Sequence, residues 1–192
     1  MYYRTHTLGE LKKSDAGIPV VLSGWVHKRR DLGGLIFIDL RDRYGITQIV
    51  FDPDIILNFS LAERLKNEHI IRVEGVVVKR DSKTVNKALA TGEIEIKAHT
   101  LEILSEIKPM PFEIFETRKG EEDEDLRLKH RFLELRRERL KNNILFRAKM
   151  VQHIRTYMEQ RDFLDIATPI LTVSSPEGAR DFLVPSRLHP GK

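Results

Sequence analysis

The first hundred residues contain five short apolar runs separated by turn-forming residues, and this pattern constrains the fold more than any other feature of the chain. The runs are 18–30, 35–41, 45–51, 70–80 and 93–104. Glycines at 33, 34 and 45 mark the first two turns, and residues 60–67 have the apolar spacing of a short helix that Ser60 could cap. Five strands with one helix after the third is the order of an OB-fold, a partly open Greek-key barrel; the strand pattern alone also allows an SH3-like barrel.

Side chains alternate along a strand, so the same runs predict which residues face outward. Ile36, Ile38 and Leu40 are expected inside the barrel, which leaves the aromatic ring of Phe37 on the outer wall among charged residues. An aromatic ring can stack on an unpaired base, and amide, carboxylate and guanidinium groups can contact base edges or phosphates. The residues expected on this wall are Arg30, Phe37, Gln48, Arg80 and Glu95. They suit single-stranded RNA, although a partly covered aromatic among surface polar groups is the alternative from alternation alone.

The second half of the chain is expected to be mainly helical. Residues 105–125 lack periodicity and end in an acidic run, which is typical of a linker. From Leu126 to Met158 the apolar residues have helical spacing over a length too great for one plain helix, so we predict two helices with a break at Asn142-Asn143 and an end near 161–162. Residues 163–173 then predict a strand, and Pro169 restricts that strand to a sheet edge.

Bulk composition narrows the classes of function. The 192 residues include no cysteine, so disulfides and thiolate metal sites are excluded. No apolar run reaches the roughly 18–20 residues of a membrane span, and residues 1–13 lack the apolar core of a secretory signal, so we expect a cytoplasmic protein. A net charge of +4 permits an acidic partner, and the basic residues after position 126 are either a solvated face or a contact for RNA phosphates. There is no P-loop or His-Glu-x-x-His pattern, and the seven histidines lack metal-ligand spacing.

Several segments resemble one enzyme family. Residues 163–187, FLDIATPILTVSSPEGARDFLVPSR, are similar to motif 1 of class II aminoacyl-tRNA synthetases. Gly-Trp-Val at 24–26, the run LIFIDLRD at 35–42 and TGEIE at 91–95 resemble the N-terminal domain of bacterial-type aspartyl-tRNA synthetases, and residues 127–137 resemble their connection into the catalytic domain. The resemblance covers nearly the whole chain.

This resemblance implies a mainly β protein with added helices, built in three parts. Residues 1–104 would be a five-stranded OB-fold that binds the anticodon, 105–125 a linker, and 126–192 the start of a class II catalytic domain, which contains helices and the motif 1 strand. The full-length parent would activate aspartate with ATP and Mg²⁺ and transfer it to the 3′ end of tRNA(Asp). The ATP motifs 2 and 3 are expected beyond Lys192, so this chain alone would bind neither ATP nor Mg²⁺ and would be inactive.

The resemblance also assigns individual residues. Phe37 would stack on an anticodon base, while Arg30, Gln48, Arg80 and Glu95 would contact base edges or phosphates. Glu177 matches the family glutamate that binds the ammonium group of L-aspartate. The contact between this carboxylate and the ammonium group would be a charge-assisted hydrogen bond. Pro169 would lie near the two-fold axis of a homodimer.

The implied partners are tRNA(Asp), L-aspartate, ATP and a second copy of the enzyme, with tRNA(Asn) as a further candidate; neither DNA nor a membrane is expected. Two alternatives stay open: a free-standing OB-fold RNA-binding module without catalysis, and a sister synthetase for asparagine or lysine.

Overall fold

The computed structural model of the protein describes residues 3–115, 122–171, 182 and 184–189. The chain divides into two compact units, residues 1–110 and residues 111–192. The first unit contains the sheet, and the second contains the longest helix of the described residues.

Five strands form the first unit. They are β1 (Pro19–Leu32), β2 (Leu35–Arg41), β3 (Ile46–Phe51), β4 (Ile70–Lys79) and β5 (Ile94–Ser105). They close into a barrel in the order β1-β2-β3-β5-β4, in which every pairing is antiparallel except that of β3 with β5. The short helix α1 (Phe59–Glu63) lies between β3 and β4. The predicted five strands and the single helix after the third are therefore confirmed.

Alternation predicted the barrel interior well. Ile36, Ile38 and Leu40 of β2 are fully buried, as are Ile49 and Phe51 of β3. The N-terminal segment, for which no role was predicted, adds Leu8 and Leu11 to the same core. Helix α1 is shorter than expected and follows Asn58 without a side-chain cap, so Ser60 lies inside the helix and does not cap it. The helix still contributes the fully buried Ala62 to the core.

A buried ion pair ties β2 to the turn before β4. Nη2 of Arg41 lies 3.0 and 3.1 Å from the two carboxylate oxygens of Glu68, whose side chain is only 2% exposed. Glu68 has a φ of 69°, a left-handed conformation that is uncommon for a residue with a side chain. Its backbone N–H donates to the carbonyl of Val26 at 2.7 Å, so the strained residue is held at both its backbone and its carboxylate.

Helices α2 (Glu124–Lys129), α3 (Arg131–Glu134) and α4 (Glu138–Glu159) belong to the second unit. The predicted break at Asn142-Asn143 is wrong, because α4 passes through both residues and the interruptions fall at His130 and around Arg137. Asparagine costs a helix interior only a few tenths of a kcal/mol, about 0.6 relative to alanine, so other contacts decide where the helix begins. Helix α4 ends at Glu159, shortly before the predicted end near 161–162, and the chain then turns: the φ of Asp162 is 64°, and Phe163 N–H donates back to the carbonyl of Met158.

Contacts of Arg137 explain the interruption before α4. Its Nη1 and Nη2 each lie 2.6 Å from one carboxylate oxygen of Glu122, and Nη2 also donates to the Glu113 carbonyl at 2.6 Å. The guanidinium lies 4.8 Å from the ring centre of Phe112. The hydrogen bonds from Arg137 lower the pKa of Glu122. These contacts fix Arg137 in an extended backbone conformation, so α3 cannot continue into α4.

The segment after α4 does not form the predicted strand over its described part. Residues 163–171 have no strand pairing, and Pro169 is exposed. A strand requires a hydrogen-bonded partner, and the described residues of this unit contain no other strand. Phe163 and Leu164 instead line a groove of about 460 Å³ with Val151, Ile154 and Met158 of α4, and Arg155 Nε lies 2.6 Å from Asp165 Oδ2 beside it. Glu177 lies outside the described residues. None of the helices in the described ranges is long and apolar enough to cross a membrane.

Candidate nucleic-acid interface

The outer wall of β1, β2 and β3 brings an aromatic ring next to charged side chains. Arg30 of β1 pairs with Phe37 of β2, which pairs with Val50 of β3. Residues directly opposite in antiparallel strands share one face, so these three side chains form a row across the sheet. Phe37 is half-buried and belongs to the outward-facing side of β2, as alternation predicted.

Gln48 lies at the centre of a hydrogen-bond network on this wall. Its Oε1 accepts from Nη2 of Arg80 at 2.7 Å and from Nη2 of Arg30 at 3.2 Å, and its Nε2 donates to Oε2 of Glu95 at 3.1 Å. Only this orientation of the amide satisfies two guanidinium donors and one carboxylate acceptor. Both lone pairs of Oε1 are thereby used inside the protein, so Gln48 retains one N–H for a ligand and no free acceptor.

Arg30 is also bound by Asp39. Its Nη2 donates to Oδ1 of Asp39 at 2.6 Å as well as to Gln48, so both hydrogens of that nitrogen are directed into the network. Asp39 of β2 is paired with Gln48 of β3 and with Lys28 of β1. The aspartate therefore completes a continuous chain of contacts that runs from Asp39 through Arg30 and Gln48 to Glu95.

Arg80 closes the other end of the network. Its Nε lies 3.7 Å from Oε2 of Glu95, and its Nη1 donates to the Gly92 carbonyl at 3.5 Å. Its backbone N–H donates to the Glu93 carbonyl at 2.9 Å, which fixes both ends of the loop between β4 and β5. Thr91 in that loop donates through Oγ1 to the carbonyl of Ile46 in β3. The loop beside the network is therefore tied directly to the barrel.

Exposure separates the predicted site residues into two groups. The side chain of Arg30 is 36% exposed, whereas that of Arg80 is 9% exposed and Gln48 as a whole is 5% exposed. Lys28 and Lys97, which pair with Asp39 and Val50 respectively, are exposed at the edge of the same wall. Phe37, Arg30 and the two lysines can therefore meet a ligand directly, while Gln48 and Arg80 are positioned mainly to support them.

Sequence reasoning found Arg30, Phe37, Gln48, Arg80 and Glu95, and the structure brings all five together on one wall. It missed the part played by Asp39. Alternation had already placed Asp39 on the outward side of β2, two residues from Phe37, and a carboxylate on a wall suited to an anionic ligand was the available signal.

A second polar cluster lies near the β1 bulge. His27 follows Val26 at the point where the β1–β2 register shifts, and burial together with the nearby Arg41 lowers its pKa. Burial also lowers the pKa of His69. In the ranges described above, no group of three or more histidine, aspartate or glutamate side chains could hold a metal ion.

Comparisons with known proteins agree with this geometry. A family model described as "OB-fold nucleic acid binding domain" matches residues 20–104, and one described as "tRNA synthetases class II (D, K and N)" matches residues 123–192. The fold and these two matches define an OB-fold domain that is joined to the start of a class II aminoacyl-tRNA synthetase catalytic domain. Within that class, the chain is similar over 99% of its length to the N-terminal portion of aspartate–tRNA ligases.

Three relatives are each named "Aspartate--tRNA(Asp/Asn) ligase". Those of Parvibaculum lavamentivorans and Rubrobacter xylanophilus are each 56% identical to this chain. Each match spans 99% of this chain and 31% of the relative. That of a Chelativorans species is 58% identical, with 99% of this chain covering 32% of it. The chain thus spans about a third of the length of these curated relatives.

Two solved structures are similar in fold. Asparaginyl-tRNA synthetase from Pyrococcus horikoshii, in complex with asparaginyl-adenylate, has a TM-score of 0.75 at 24% identity, over 91% of this chain and 39% of that one. Aspartyl-tRNA synthetase from Entamoeba histolytica has a TM-score of 0.73 at 21% identity, over 90% of this chain and 41% of that one.

Proposed function

We propose that residues 1–104 bind the anticodon loop of tRNA(Asp) on behalf of an aspartate–tRNA ligase of which this chain is a part. The observation that carries the proposal is the outer barrel wall, where Phe37 stands beside a network that orients Arg30, Gln48, Arg80 and Glu95. An OB-fold binds oligonucleotides on the face of its second and third strands, which is where this wall lies.

Each residue has a role that its chemistry allows. Phe37 stacks on an unpaired base, and the partly exposed side chain of Arg30 donates to a base or a phosphate. Glu95 is 21% exposed and accepts from an exocyclic amine of a base. Gln48 donates its remaining N–H, and Arg80 holds Gln48 and Glu95 in place.

The complete enzyme would join L-aspartate to tRNA with ATP and Mg²⁺. The chain spans about a third of such a ligase, so the activation of aspartate is proposed for the complete enzyme and no chemical step is assigned to the chain itself. Glu177 is proposed to bind the ammonium of aspartate once the rest of the pocket is present. The whole protein is proposed to act in the cytoplasm.

A homodimer is proposed through motif 1. The apolar side of α4 is open: Ile144, Met150, Ile154 and Tyr157 are each between 46% and 52% exposed. The segment 163–171, which contains Pro169, carries further exposed apolar side chains. A second copy that supplies a strand partner to this segment would cover both surfaces.

Loss of the Phe37 ring tests the anticodon proposal. Phe37→Ala should weaken binding of the chain to a tRNA(Asp) transcript by about 1–3 kcal/mol, the usual contribution of one base–aromatic stack, while leaving the thermal unfolding temperature nearly unchanged. Tyr44→Ala is the matched control, because Tyr44 is an exposed aromatic at the β2–β3 turn, outside the network. Affinity should also fall steeply with salt. Equal affinity of Phe37→Ala and the parent chain for tRNA(Asp) would exclude Phe37 as the stacking residue.

Charging of tRNA(Asn) is the second candidate function, because the relatives are named for both tRNAs. Aminoacylation by the full-length product, assayed with tRNA(Asp) and tRNA(Asn) and with aspartate, asparagine and lysine as amino acids, separates these possibilities. If the natural gene product ended at Lys192, the free-standing RNA-binding alternative would hold.

A further inference from the structure

The negative charge of Asp39 is unfavourable on a wall proposed to bind RNA, because it repels phosphate groups. Its carboxylate lies on the same side of the sheet as Gln48 and Lys28, and it is 14% exposed. By charge alone, removal of this carboxylate should strengthen binding to any RNA, because the ligand is a polyanion. Asp39 must therefore contribute to RNA binding in some way other than attraction of phosphates.

Asp39 controls the direction in which Arg30 can donate. Two acceptors, Asp39 Oδ1 at 2.6 Å and Gln48 Oε1 at 3.2 Å, use both hydrogens of Arg30 Nη2. Because a guanidinium is planar, fixing one nitrogen with two hydrogen bonds fixes the plane and leaves Nη1 to donate to a ligand. Without Asp39, only the longer bond to Gln48 remains, and the flexible arginine side chain can turn toward phosphates.

We propose that Asp39 is a positioning residue that makes the wall selective among bases, by holding Arg30 in an orientation that contacts a base edge. This inference rests on the proposed anticodon-binding function. Arg30 offers donors only, so the selected base is one that presents a carbonyl or ring-nitrogen acceptor to Arg30. A base that presents an exocyclic amine at this point is rejected, because two donors would face each other.

The test compares the 192-residue chain with its Asp39→Asn variant, which keeps the shape of the side chain and removes the charge. The RNA probes are a tRNA(Asp) transcript, three transcripts that each carry one replaced anticodon base, and an unstructured oligouridine. Asp39→Asn should bind tRNA(Asp) about tenfold more weakly, as expected when a charge-assisted hydrogen bond is replaced by a weaker, neutral one. It should also lose discrimination at one anticodon position and bind oligouridine as tightly as the parent or more tightly.

Glu102→Gln is the matched control. Glu102 is an exposed carboxylate of β5 that pairs with Arg72 at 3.7 Å, and it lies seven residues from Glu95, or about 23 Å along an extended strand. This variant undergoes the same change of charge, so it should strengthen binding to all probes equally and keep the parental discrimination.

The outcomes separate the two proposals. If the parent chain does not discriminate among the transcripts, anticodon binding itself is overturned, and the role of Asp39 with it. If the parent discriminates and Asp39→Asn keeps the parental ratio, or loses affinity for all probes by one common factor, only the role of Asp39 is overturned. Should Asp39→Asn fail to fold, Arg30→Lys replaces it, since lysine keeps the charge but cannot hold two acceptors in one plane. Loss of discrimination with retained oligouridine affinity supports the proposal, and retained discrimination overturns it.

Discussion

The buried pair of Arg41 and Glu68 gives the most direct test of what stabilises the barrel. Glu68→Gln removes the negative charge and leaves the guanidinium beside a neutral amide, with both side chains mostly hidden from water. Two unit charges 3.0 Å apart attract by roughly 5 kcal/mol at an effective dielectric constant near 20, before the cost of desolvation is subtracted. Breaking such a pair from one side typically costs about 3–5 kcal/mol. The glutamine still offers one acceptor, so we expect about 3 kcal/mol.

The assay is urea unfolding at pH 7.5, followed by the fluorescence of Trp25. This is the only tryptophan of the chain, and it lies in β1 opposite Arg41, so its signal reports on the first unit. A loss of about 3 kcal/mol should also lower the melting temperature of a unit of this size by on the order of 15 °C.

Glu106→Gln supplies the control for this measurement. The pair of Arg64 and Glu106 is separated by 3.9 Å, and both of its side chains are more than 60% exposed. Exposed pairs of this kind contribute about 0–1 kcal/mol, so the control should unfold almost as the parent does. If Glu68→Gln were no more destabilising than Glu106→Gln, the reasoning from burial would be refuted.

Two further perturbations test the barrel. Gly75→Ala should destabilise it by about 1–3 kcal/mol, because a Cβ there would overlap the Lys97 carbonyl of β5 and come within 2.8 Å of Ile96 Cγ2; an unchanged urea midpoint would contradict this packing. His27→Gln should make the first unit less sensitive to acid. Burial holds the pKa of His27 below 6.5, so below that pH the unfolded chain binds more protons than the folded one and stability falls until the folded pKa is reached. Urea unfolding at pH 7.5 and 5.5 checks this, since a parent and variant with equal pH dependence would contradict the assignment.

Local patterns were sufficient to predict the barrel. Period-two alternation and glycine turns identify the five strands to within about two residues, because each strand buries one side in the same core. The same alternation placed Phe37 on the outer wall. Glycine pairs such as Gly33-Gly34, both at positive φ, mark a tight hairpin that few other residues allow.

Contacts between residues far apart in the sequence could not be predicted from local sequence patterns. The burial of Gln48 and Arg80 depends on hydrogen bonds between side chains more than thirty residues apart, and no periodicity encodes such pairs. The start of α4 was mispredicted for a similar reason, because Arg137 is held by Glu122 and by the Glu113 carbonyl. The strand expected at 163–173 needs a partner that local sequence cannot supply.

The seam between β3 and β5 links recognition to the integrity of the barrel. These strands are joined by only two registered pairs, Ile49 with Ile96 and Val50 with Lys97. The bond from Gln48 to Glu95 crosses the same seam, and the bond from Thr91 to the Ile46 carbonyl lies beside it. Residues that are proposed to select a nucleotide therefore also hold β3 and β5 together and keep the barrel closed. A substitution that changes nucleotide preference at Gln48 or Glu95 must therefore also preserve the contact between β3 and β5. This requirement limits the substitutions that can occur at these two positions during evolution.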